Sequence, residues 1–264
     1  MELEYLRPLF AGDGPWASVY LDTTRAGEHA DGGIDRRWRG LAERLARAGA
    51  DPATIAAIGE AIHRQPFRAG RHGLAIFARG GVVALIEPLP APPAADLATW
   101  GPLPHAMPMV ALRGEQIAHV RVAADHSGGA VEAVDAATGR AVAEVAAQNR
   151  KASVARYGNQ PHAEGLDDVV VRLRRGQVEA VLLVDDPHSA DRLFIGAGDP
   201  RLIATRPGTL RESGADPIEV RADAALLRAV VGTGAGLLLV DPAEIDLVNG
   251  IGAILRPEDD RSAA

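Results

Sequence analysis

The sequence predicts two folded units in series: an α+β N-terminal domain with a mixed or mainly antiparallel sheet and a helical pair, then an α/β sandwich C-terminal domain. Three observations lead there. In GLDDVVVRLRRGQVEAVLLVDD, Gly165 to Asp186, apolar residues recur first at spacings of three and four and then run almost unbroken, which reads as a helix feeding a strand covered on both faces. Further aliphatic runs follow at Leu237 to Val240 and after the turn Asn249-Gly250. In the first half, a strand-like WASVYLD is followed by two helical stretches and a hairpin signal.

Composition bounds the rest. The 264 residues are 47% hydrophobic, enough for one large or two ordinary domains with real cores. With no cysteine, disulfides, thiolate metal sites and cysteine nucleophiles are excluded. The opening MELEYLRPLF lacks the apolar run of a signal peptide, and no later segment reaches the roughly 18 apolar residues of a membrane span, so a cytoplasmic location is expected. The net charge of −7 argues against a protein held on nucleic acid by overall charge, and DNA binding is not expected. Residues 1–150 carry 15 Arg against 17 acids, and the remainder 13 Lys plus Arg against 18, so the first half is the better candidate for RNA contact.

Taken in order, Trp16 to Asp22 is the first strand. From Ile34 to Ala48, Trp38, Leu41 and Leu45 recur at helical spacing, with Arg36, Arg37 and Arg39 among the residues between. Asp51-Pro52 starts a second helix, Asp as cap and Pro at the first position, with Ile55, Ile58 and Ile62 as its buried stripe. The loop RQPFRAGRHG, Arg64 to Gly73, leads into strand Leu74 to Ala78, and Arg79-Gly80-Gly81 turns this into a second strand, Val82 to Glu87. Pro88 to Pro108 holds seven prolines and reads as an extended crossover with little regular structure. Strands are then expected at Met109 to Leu112, Ile117 to Ala123, Ala130 to Val134 and Ala141 to Ala146. The stretch from Ala147 to Gly165 breaks the pattern, with a short helix carrying Val154 and Tyr157 before a turn at Gly158 to Pro161.

In the second half, Asp167 and Asp168 suit the first turn of the helix, whose apolar face is Leu166, Val169, Val170 and Leu173, and Gly176 ends it. Val178 to Val184 is the buried strand, closed by an Asp-Asp-Pro turn. The expected boundaries are 1–147 for the N-terminal domain, 148–165 for a linker, 166–257 for the C-terminal domain and 258–264 for a tail.

The segments RRGQVEAVLLVDD, ALLRAVVGTGAGLLLVDP and LVNGIGAILRP, in this order and spacing, resemble the C-terminal domain of the archaeo-eukaryotic peptide chain release factor and Pelota superfamily. They are more similar to its bacterial branch, which includes Balon-like ribosome hibernation factors. WASVYLD, the paired helices, RAGRHG, EPLPAPP and Trp100 to His105 look like the first domain of that branch, so the resemblance covers nearly the whole chain. It implies a C-terminal domain of release-factor/Pelota type, an N-terminal domain of the decoding-region type, and a linker where the superfamily's central domain would stand. The implied role is a stress or hibernation factor that occupies the ribosomal A site or meets a translational GTPase, with rRNA and that GTPase as partners and no cofactor. Two alternatives stay open: a peptidyl-tRNA hydrolase or release-factor-like enzyme, and a truncated paralogue without a ribosomal role.

Release factors place water at the peptidyl-tRNA ester with a Gly-Gly-Gln loop, and this sequence has none. Gly176-Gln177 follows Arg175 and reads as a turn, so an enzymatic role is not favoured and no catalytic residue is assigned. Asp185, Asp186, His188 and Asp191 read as a polar turn after a strand and not as metal ligands. Ser189 lacks a nucleophile-elbow context. The glycines at 232, 234 and 236 follow a helix and precede a strand, the reverse of a phosphate-binding loop. The candidate RNA contacts are Arg64, Arg68, Arg71 and His72 on the glycine-containing loop, where guanidinium groups meet phosphates and stack on bases, with Arg36, Arg37 and Arg39 as a second patch. Arg172, Arg174 and Arg175 read as solvated charges at a helix end.

Overall fold

The computed structural model describes residues 3–12, 14–24, 31–66, 70–114, 144–145, 147–186 and 189–257. A 3₁₀ turn (Glu4–Leu6) runs into helix α1 (Arg7–Phe10), and Leu6 and Leu9 are fully buried. Strand β1 (Trp16–Asp22) is central to a four-stranded sheet of order β3-β2-β1-β4, with β2 (Gly73–Arg79), β3 (Val82–Leu89) and β4 (Leu97–Gly101). Its described strands are all antiparallel, which resolves the expectation of a mixed or mainly antiparallel sheet toward the latter.

Helices α2 (Asp31–Arg47) and α3 (Pro52–His63) cover one face of this sheet. Leu41, Leu45, Ile58 and Ile62 of the predicted stripes meet Ala17, Val19, Leu21 and Ile76 there, joined by Ile34, whereas Trp38 and Ile55 lie only partly buried beside them. The two helices approach closely because Gly59 carries no Cβ, which would stand 3.0 Å from Trp38 Nε1. Asp51 caps α3 as expected, accepting from Thr54 N at 2.8 Å. The buried Thr54 hydroxyl donates to Asp51 Oδ2 at 2.7 Å and accepts from Gly81 N at 2.8 Å, tying the start of α3 to the β2–β3 turn. Gly80 and Gly81, with φ of 53° and 78°, supply the left-handed backbone that a two-residue hairpin turn needs.

Two expectations for the middle of the chain are corrected. The proline-rich crossover contains β4, because the proline-free Leu97–Gly101 finds the open edge of β1. Met109 to Leu112, read as strand, lies in helix α4 (Met107–Arg113): Pro108 sits in its first turn, Gly114 ends it at φ 63°, and a four-residue aliphatic run carries no period to tell the two states apart. The strands expected at 117–123 and 130–134 lie outside the described residues, as does most of that at 141–146, whose residues 144 and 145 are helical.

Residues 147–159 form helix α5, which runs past the turn expected at Gly158, and His162–Glu164 form β5. Helix α6 (Gly165–Arg174) feeds β6 (Val178–Val184) as read from the sequence, and Gly176, φ 68°, ends the helix with Gln177 N donating to Arg172 O. A three-stranded antiparallel sheet that the sequence reading missed follows, from β7 (Arg192–Ile195), β8 (Ile203–Ala204) and β9 (Ile218–Arg221), with α7 (Pro207–Glu212) between the last two. Helix α8 (Ala222–Thr233) then leads through Gly234, φ 65°, into β10 (Gly236–Val240), and β11 (Ile251–Leu255) closes the fold.

The second four-stranded sheet has order β10-β6-β11-β5, with β10 parallel to β6 and β11 antiparallel to both its neighbours. Val181 of β6 faces α6 and α8, whereas Leu182 faces Tyr157 of α5, so both faces are covered and the aliphatic run needs no polar alternation. The largest apolar cluster continues from Trp16, Tyr20 and Phe77 of the first sheet through α1 and α4 to Leu226 and Val230 of α8. The two halves therefore share a core.

Candidate functional site

Where the halves meet, a cleft of about 760 Å³ opens. Its walls are Leu97, Met107, Pro108 and Leu112 from the first half, and Leu166, Leu183, Leu226 and Ile251 from the second. It lies at the carboxyl end of β6 and the start of α8, the end of an α/β sheet where ligands are usually received. Asp185, Asp186, Ser189 and Asp191, which follow β6, line the cleft together with Asp96 and Asp223.

One polar cluster forms the back of the cleft. His105 N donates to Ser18 Oγ at 3.0 Å, and His105 O accepts from Tyr20 OH at 2.7 Å. Tyr20 OH in turn accepts from Met109 N at 3.2 Å, and burial drives its pKa well above the ordinary phenol value. His105 Nε2 lies 3.3 Å from Asp223 Oδ2, while Arg221 grips the same carboxylate, Nη2 to Oδ2 at 2.8 Å and Nε to Oδ1 at 3.1 Å. Burial by itself would raise the Asp223 pKa, but the hydrogen bonds and charges of His105 and Arg221 outweigh it and hold the carboxyl well below its usual range. His105 Nδ1 is buried without a hydrogen-bond partner among the described residues, which suits the tautomer with its proton on Nε2. Among the described residues no hydroxyl bonds to the imidazole ring.

Asp185 is the opposite case. Partial desolvation of its carboxyl, although the residue as a whole is exposed, and then the charges of Asp186 and Asp223 raise its pKa, and no cationic side chain among the described residues pairs with it. Asp185, Asp186 and Asp191 follow a strand as the sequence implied, with His188 outside the described residues. The described residues contain no group of three or more His, Cys, Asp or Glu arranged to hold a metal ion. Sequence reading missed the cleft because His105 and Asp223 lie in unrelated segments. The signal that existed was a lone histidine after a Trp-Gly-Pro-Leu-Pro stretch.

The arginines fall into two groups. On α2, Arg36 and Arg39 are exposed and make no ion pair among the described residues. Among the described residues, Arg44 and Arg47 bond only to carbonyls of their own helix. Burial of the Ile34, Leu41 and Leu45 side chains stabilises α2 by about 1.5–3 kcal/mol each, against roughly 0–1 for a surface ion pair, so the fold does not depend on these charges. Arg37 differs: it donates to Asp22 O at 3.2 Å and lies 3.7 Å from both the Asp22 and Asp96 carboxylates.

From the glycine-containing loop, Arg71 is exposed and its charge reaches Asp22 as that of Arg37 does. One residue from each candidate patch, Arg37 and Arg71, thus lies near Asp22 at the end of β1. His72 O accepts from Thr23 N at 3.1 Å, a structural contact. Arg64 is paired with Glu60 one turn back at 2.8 Å, and Arg68 lies outside the described residues. Arg172 and Arg174 bond to Asp168 and Ser213, in keeping with helix-end charges.

No family model matches the chain. It is similar to the uncharacterized proteins MT2704 and Rv2629 of Mycobacterium tuberculosis strains CDC 1551 and H37Rv, each 31% identical over 138 residues, 52% of this chain. The chain matches 37% of the length of these curated relatives. The crystal structure of the archaeal translation termination factor aRF1 aligns over 95% of both chains, at 10% identity and a TM-score of 0.27, below the level of a shared fold.

Proposed function

We propose that this chain is a non-catalytic, ribosome-associated translation factor that contacts rRNA through the arginine face of α2 and the adjoining Arg71. The observation that carries this reading is the run of exposed arginines on α2, Arg36, Arg39, Arg44 and Arg47, which the apolar stripe holds in place and the fold does not consume. Guanidinium groups so presented meet phosphates and stack on unpaired bases. The sequence resemblance to hibernation-type relatives of the release factors supplies the context, a vacant A site under stress. The acidic second half is the surface for a translational GTPase.

Co-sedimentation of the full chain with vacant 70S ribosomes across a salt series tests this. Stoichiometric binding is expected, with the salt slope reduced by about one for each phosphate contact removed in an Arg36→Ala, Arg39→Ala, Arg71→Ala variant. Absence of binding at low salt, with or without a translational GTPase, overturns the reading. Turnover of peptidyl-tRNA by the purified protein would replace it with the hydrolase alternative.

A further inference from the structure

We propose that the cleft between the two halves is a binding site for a small organic cation with an apolar body. This is independent of any ribosomal role. The volume of about 760 Å³ is that of a small-molecule site, and the walls, Leu97, Met107, Leu112, Leu166, Leu226 and Ile251, offer apolar surface that only an apolar body covers without loss.

Charge decides the sign of the ligand. Among the described residues no Arg or Lys lines the cleft, and the basic group there, His105, turns Nε2 toward Asp223. Of the carboxylates, Asp223 is met by Arg221 and His105, and Asp96 by Arg37 and by Asp22 N, which donates at 2.8 Å. Asp185 meets only the like charges of Asp186 and Asp223 among the described residues. An anionic ligand such as a phosphate would add to this repulsion, whereas an ammonium group beside Asp185 relieves it with its hydrocarbon part on the apolar walls. Desolvation first, and then the like charges of Asp186 and Asp223, hold the Asp185 pKa above its ordinary value, and an ammonium group beside it would act against the second of these causes.

The test titrates the full chain with three probes of one shape, 2-(1-naphthyl)ethylamine, 2-(1-naphthyl)ethanol and 3-(1-naphthyl)propanoate, followed by backbone amide shifts. The amine is expected to saturate with shifts at residues 183–186 and 222–226, about tenfold tighter than the alcohol, with the carboxylate weakest. Asp185→Asn, at an exposed position, brings the amine to the level of the alcohol, and Ala111→Phe, which fills the cleft, abolishes both. Lack of saturation by the amine at about 10 mM, equal affinity of the three probes, or an amine affinity indifferent to Asp185→Asn each overturns the proposal.

Discussion

His105 and Asp223 meet across the cleft, Nε2 to Oδ2 at 3.3 Å, and join the connection after β4 to the first turn of α8. Asp223 also accepts from Ala224 N at 2.7 Å and from both Arg221 donors, and these contacts with that of His105 hold the carboxylate ionised against its burial. The pair is a clasp between the two halves as much as a wall of the cleft.

Replacing Asp223 by Ala leaves Arg221 and His105 without their partner and should cost about 3 kcal/mol of stability in urea unfolding. Because the folded-state pKa of Asp223 lies below its ordinary value of 3.8, its contribution is complete above that pH and is lost as pH falls from there toward the folded value. The stability gap between the native chain and Asp223→Asn should therefore narrow below about pH 4. A gap of constant size down to pH 2 would show that the carboxylate charge is not what matters.

Tyr20→Phe removes the hydroxyl that serves His105 O and Met109 N at once. The Met109 amide is buried and the His105 carbonyl partly so, and the expected loss is about 1–3 kcal/mol, read as a shift of the urea midpoint with unchanged slope. Amide exchange at Met109 should accelerate in the variant. An unaltered midpoint would mean that the two groups find other partners.

Gly252 sits on β11 under Tyr157 of α5, and a Cβ there would stand 2.6 Å from the phenol oxygen and 2.7 Å from the ring. Gly252→Ala is expected to displace α5 and to cost about 1–3 kcal/mol. Combining it with Tyr157→Ala should give less than the sum of the two single losses, since the clash needs both groups. Simple additivity would exclude the contact.

Elements whose cause is local were legible from the residues alone. The stripe of α2, the Asp51 cap, the Gly80-Gly81 turn and the helix-to-strand passage through Gly176 each depend on residues within a few positions of one another. Arg64 and Arg37 looked alike in the sequence as free cations. Only folding shows that one is held by its own helix and the other by Asp22 and Asp96.

The same division applies to α4 and β4. A short aliphatic run and a proline-rich stretch carry no periodic signal, and each took its state from what it packed against: Tyr20 and α8 for the helix, the edge of β1 for the strand. By itself the sequence determined an α+β first half, a second half with near-continuous aliphatic strands, a helix pair whose first member bears the arginines, and no cysteine chemistry, because these follow from composition and from interactions close along the chain. Tertiary structure alone decided the cleft, its Asp-His clasp and the place of Asp185 beside Asp223, because those rest on contacts between segments whose meeting is set by how apolar faces pack.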